Sequence, residues 1–145
     1  MPDTTLLEQY KSYVGDLGNI GSRYTTTNGF YLSIVSALIA FIGFTRKEES
    51  LETLRGWIYI AVPIFAILLC LVWHLTMKFY SGLFKVKFDV LREMEQRLPF
   101  PTYETEDRLL RERKSRLISI EKWVPAILSL PFVIVLAFGL SSVKL

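Results

Sequence analysis

Residues 57–77 read WIYIAVPIFAILLCLVWHLTM, and this stretch decides the fold class. It lies within a run of 22 residues, between Arg55 and Lys78, that holds no Asp, Glu, Lys or Arg. A helix needs about 20 mostly apolar residues to cross the roughly 30 Å hydrocarbon core of a bilayer. Two more such windows flank it, 22 residues between Arg23 and Arg46 and 21 between Lys122 and Lys144. With 51% hydrophobic and 21% charged residues among 145, the chain is too apolar for an ordinary soluble domain. The expectation is an all-α membrane protein, one membrane domain over residues 1–145, with spans at 27–44, 57–77 and 123–143. Tyr31, Trp57, Tyr59, Trp73 and Trp123 fall near the span ends, where amphipathic rings favour the headgroup region.

The charged residues set an expected orientation. Lys11 and Arg23 precede the first span, and eleven further Lys and Arg lie between Lys78 and Lys122. Arg46, Lys47 and Arg55 occupy the short loop, and Lys144 follows the third span. The excess of cations marks the cytoplasmic side. The N-terminus and the long connection are therefore expected in the cytoplasm, and the short loop and C-terminus outside. The first apolar run starts about 25 residues in without a basic leader, so a cleaved signal peptide is not expected.

Residues 78–122 form the polar region. Phe79, Leu83, Phe84, Phe88, Leu91, Met94 and Leu98 recur at helical spacing, so the second span is expected to run on to about Leu98. Pro99-Phe100-Pro101 then ends it, because proline offers no amide donor and disfavours helix in the residue before it. Thr102 or Thr105 is expected to cap a second helix that continues into the third span, giving a cytoplasmic helical hairpin. An amphipathic helix at 3–22, with Leu6, Leu7, Tyr10, Tyr13, Val14, Leu17 and Ile20 on one face, is expected to dock on that hairpin. Gly15, Gly18 and Gly21 weaken its far end and would permit a hinge.

The sequence offers no constellation for covalent chemistry. A single cysteine, Cys70, allows no intrachain disulfide, and a single histidine, His74, builds no histidine-based metal site. There is no phosphate-binding loop, no glycine-rich dinucleotide turn and no Ser-His-Asp set. Glu93 with Glu95, and Glu104 with Glu106 and Asp107, lie among cations and read as solvated helix faces. No catalytic, cofactor-binding or metal-ligating residue is expected. The net charge of +3, with acids interleaved among the bases, argues against nucleic acid as a partner. Coupled transport generally needs ionisable groups within the membrane, and here only His74 lies in a span.

Two features do suggest binding surfaces. Gly29, Ser33, Ala37 and Ala40 give the first span a face of small side chains, which permits close helix approach. Ala126 with Ser129, and Ala137 with Ser141, are shorter counterparts in the third span. Packing within the chain and self-association both fit these faces. Arg108, Arg111, Arg113, Lys114 and Arg116 place five cations within nine residues. They fit contacts to an anion or lipid headgroup, and equally a positively charged segment beside the membrane.

The stretch LEQYKSYV at 7–14, Arg23, and Asn28-Gly29-Phe30-Tyr31-Leu32 resemble the opening of small bacterial integral membrane proteins. The plan of an amphipathic start, tight spans and a helical cytoplasmic part is similar to SLATT-type proteins. That resemblance implies a pore-forming effector of bacterial anti-phage defence in the inner membrane. SLATT proteins have two spans, so the third departs from their pattern. The functional expectation is a homo-oligomeric membrane-permeabilising effector or channel subunit, controlled through its hairpin. The alternative is a non-conducting anchor that recruits a soluble cytoplasmic partner. Membrane lipid is a partner under either.

Overall fold

A computed structural model describes residues 4–45, 52–112, 121 and 123–142. Among these there are four helices and no strand: α1 (Thr4–Thr45), α2 (Glu52–Glu95), α3 (Thr102–Glu112) and α4 (Val124–Ser142). The all-helical class expected from the apolar windows is the one observed. Three helices are long and apolar enough to cross a membrane, over Thr4–Thr45, Gly56–Glu95 and Val124–Ser141. The contacts divide the chain into two compact units, one of residues 1–26 with 77–121 and the other of 27–76 with 122–145.

The N-terminal amphipathic stretch and the first span, expected as separate helices, are one 42-residue helix, α1, and the hinge that its glycines would permit is not formed. Gly15, Gly18 and Gly21 are all helical. A glycine costs a helix about 1 kcal/mol relative to alanine, whereas proline, absent from α1, costs about 3. In the first unit the buried side of α1 carries Leu17 and Ile20, with Tyr10, Tyr13 and Val14 half-buried beside them.

Helix α2 contains Pro63, fully buried, and ends at Glu95, three residues short of Leu98. Its exit tightens: the Arg97 amide donates to the Met94 carbonyl at 3.2 Å and the Leu98 amide to the Glu95 carbonyl at 2.9 Å. Pro99 follows at once, and its ring pushes Leu98 out of helical geometry. Helix α3 starts directly after Pro101, whose carbonyl accepts from the Thr105 amide at 3.1 Å and the Thr105 hydroxyl at 2.7 Å. The expected passage of this helix into the third span falls at residues 113–120, outside the described residues.

In the second unit Val35 and Ile42 of α1, Ala66, Cys70 and Trp73 of α2, and Phe132 of α4 are buried. Helix α4 approaches α2 closely at Gly139, where a Cβ would stand 2.8 Å from the Tyr59 carbonyl oxygen. Only glycine tolerates that approach without movement. Pro125 sits in the first turn of α4, where a missing amide donor breaks no helical bond. Pro125 therefore requires no kink. Pro131 lies inside α4.

Candidate functional site

In the second unit the small face of α1 points away from its neighbours. Gly29, Ser33, Ala37 and Ala40 are all exposed, and nothing lies within 4 Å of a Cβ built on Gly29. The opposite side of the same helix, through Val35, Ile42 and Thr45, is buried. Among the described residues the small face is thus left open, as self-association requires. The serines bond within their own helices: Ser33 to the Gly29 carbonyl at 2.8 Å, Ser129 to Ala126 at 2.7 Å, and Ser141 to Phe138 at 2.8 Å. Ala126, Ala137 and Ser141 are exposed and Ser129 is half-buried.

Polar contact between helices is made instead by Asn28, whose side-chain oxygen accepts from the Trp73 indole N–H at 2.9 Å. Tyr31 stacks on Trp73 with centroids 5.8 Å apart. Both pairings bring the N-terminal end of the expected first span against the C-terminal end of the second. His74, next to Trp73, is exposed.

The first unit contains a carboxylate that sequence reasoning misplaced. Glu95, expected on a solvated face, is 1% exposed. It accepts from the Tyr10 hydroxyl at 2.8 Å, the Tyr103 amide at 2.9 Å and the Glu104 amide at 3.2 Å. Those two amides open α3, so Glu95 performs the capping expected of Thr102 or Thr105. A negative charge at a helix N-terminus is further favoured by the helix dipole. The signal was present in the register, since Glu95 stands four residues after Leu91 on the buried side of α2.

Around this node, Arg92 pairs with Asp107 at 2.6 Å and the Phe88 and Tyr103 rings lie 5.7 Å apart. Lys87 of α2 pairs with Asp16 of α1 and sits 4.3 Å above the Tyr13 ring. Tyr24 meets Tyr80 and Phe84 edge-on, with centroids 5.6 and 6.0 Å apart. The amphipathic start therefore docks on the α2–α3 pair. Burial and the bond to Glu95 push the Tyr10 phenol up to about 12. The bond to Asp16 raises Lys87 above its ordinary value.

The candidate anion contacts are only partly described. Arg108 is exposed on α3, Arg111 is described by its backbone alone, and Arg113, Lys114 and Arg116 lie outside the described residues. Among the described residues no group of His, Cys, Asp or Glu is arranged to hold a metal ion.

Three apolar helices and an all-helical fold define a multi-pass membrane protein. A small-residue face left open on its first span fits one that associates with copies of itself. The chain belongs to the octameric membrane protein family (8xMP), whose model matches residues 7–141, and it is thus a small oligomeric integral membrane protein. Neither a curated protein nor a solved structure matches it.

Proposed function

We propose that eight copies of this chain form a membrane assembly enclosing a permeation path, with the first unit, on the cytoplasmic side of the inner membrane, controlling it. The observation that carries this reading is membership of a family described as octameric by a chain with three candidate spans. One three-span protomer has too few helices to surround a hydrated path, whereas eight supply twenty-four. The open face at Gly29, Ser33, Ala37 and Ala40 supports close contact between copies. The Glu95 node supports control, because it joins three helices of the first unit, of which α1 and α2 also supply two spans. A role in bacterial defence rests on the SLATT-like plan alone.

The test is flux. Purified protein at the octameric mass is reconstituted into liposomes loaded with a small fluorescent dye and an ion reporter. Dye or ion loss dependent on the assembly supports a conducting role. Sealed vesicles around intact octamers, with and without cytoplasmic extract as a source of trigger, would reject it.

The second reading, a non-conducting anchor, is favoured by Phe100 and Leu109 of the first unit, 64% and 49% exposed. These apolar side chains, with the exposed cation Arg108 next to Leu109 in the chain, fit the docking of a soluble protein. Replacing the spans by unrelated ones while keeping the first unit would preserve function under this reading alone.

A further inference from the structure

The first unit leaves one apolar ridge uncovered on α2, beyond the charge-free window that ends at Lys78. Phe79 is 68% exposed and Val86 60% exposed, one heptad apart. Glu93, a further heptad on, is also exposed, so the three share one edge of the helix, roughly opposite the side buried at Leu91 and Glu95. Lys85 and Asp89 flank Val86 and Lys78 precedes Phe79, so the ridge lies among charged residues beyond the charge-free window.

The outer side of α1 in the same unit has the complementary shape. Lys11, Gly15, Gly18 and Ser22 are all exposed and follow one another at spacings of four, three and four. Nothing lies within 4 Å of a Cβ on Gly15 or Gly18. Glycine weakens a helix relative to alanine, and packing within the protomer supplies no reason for either one. Gly139, by contrast, has its reason in the Tyr59 carbonyl.

Internal contacts set the levels of the two helices. Tyr10 lies level with Glu95, Asp16 with Lys87, and Tyr24 with Tyr80. Copies related by rotation about an axis normal to the membrane share these levels. Gly18 of one copy is then level with Val86 of the next, within about a turn. Lys11 is level with Glu93, so a cation meets an anion at the end of the apolar contact.

We infer that the first unit carries a head-to-tail interface between successive copies of this chain. The Phe79–Val86 ridge of one copy lies along the Gly15–Gly18–Ser22 seam of the next, and Glu93 pairs with the neighbouring copy's Lys11. Two different faces of a protomer generate a ring when the rotation between copies closes, whereas a self-complementary face pairs copies two by two. The heptad spacing on both helices suits left-handed, shallow-angle packing. This inference rests on the octameric reading and names the surfaces that build it.

Cysteine cross-linking in membranes tests it, in a Cys70→Ala background. Chains carrying Gly18→Cys and chains carrying Val86→Cys, differently tagged and co-expressed, are expected to form mixed disulfide dimers. A chain carrying both changes is expected to give a ladder up to the full ring. Dimers of the Gly18→Cys chain alone would mean that α1 faces α1, and would overturn the inference. So would absence of cross-links while native mass spectrometry still shows the octamer. A monomeric unsubstituted protein would remove the octameric reading itself, a separate outcome. Where cysteine variants fail to assemble, charge exchange decides. Lys11→Glu alone is expected to lower the octamer fraction at least tenfold, and adding Glu93→Lys to restore it; no loss, or no restoration, counts against the pairing.

Discussion

The Tyr10 hydroxyl donates to the Glu95 carboxylate at 2.8 Å, joining residues 85 apart in the sequence. Glu95 is also the cap of α3, so one buried side chain ties α1, α2 and α3 together. Replacing it by glutamine places an amide N–H₂ where backbone donors converge. A buried donor left without a partner costs about 1–3 kcal/mol. Glu95→Gln should therefore lower the unfolding temperature of the solubilised protein and increase proteolysis between α2 and α3. An unchanged melting curve would deny Glu95 its structural role.

Alkaline pH gives an independent readout of the same bond. The Tyr10 phenol is pushed up to about 12 from an ordinary value of 10.0. The protonated phenol is thus favoured by folding, so its contribution is complete below about pH 10 and declines between there and about pH 12. Ultraviolet titration should show one tyrosine fewer ionising late in Tyr10→Phe than in the parent protein. The mutant should also lose part of the stability decline across that window.

Lys87 and Asp16 make the other bridge between α2 and α1. Asp16 is 55% exposed, and so exposed a pair contributes little, less still at high salt. Asp16→Asn is expected to shift stability by less than Glu95→Gln does, and the difference from the parent should shrink as salt is added. A large, salt-independent loss would mean that Asp16 does something other than pair with Lys87.

The glycines of the spans should divide by their surroundings. Gly139→Leu forces atoms into the Tyr59 backbone and should destabilise the protomer, with about 1–3 kcal/mol expected from overpacking. Gly29→Ala meets open space and should leave the protomer intact. Gly29→Leu with Ala37→Leu should spare the protomer and lower the octamer population. Native mass spectrometry alongside circular dichroism separates these outcomes. Loss of fold in the Gly29→Ala chain would mean that this face is packed within one copy.

Removal of the Asn28 side-chain acceptor isolates the bond to the Trp73 indole. Asn28→Ala should cost on the order of 1 kcal/mol, the scale of hydrogen bonds between membrane helices. Tryptophan fluorescence should change if the stacked Tyr31–Trp73 pair loosens. An identical spectrum and stability would make the contact incidental.

Much of this molecule followed from the order of its residues. Three windows free of charge are long enough to span a bilayer, and a helix is the structure a single isolated segment adopts there, because it satisfies its own backbone. Pro99 and Pro101 likewise fixed a break between α2 and α3, since their geometry acts locally. Tertiary structure alone decided three other matters. Gly15, Gly18 and Gly21 are compatible with a hinge or a helix, and the packed side at Leu17 and Ile20 favoured the helix. Glu93 and Glu95 look alike in sequence, yet one is exposed and the other capped inside, because only α1 and α3 together supply the Tyr10 hydroxyl and the two amides. The small residues of α1 announced a close approach without naming the partner. Burial on the opposite side of that helix turned them outward, since propensity and periodicity act within a segment while burial depends on what folds against it.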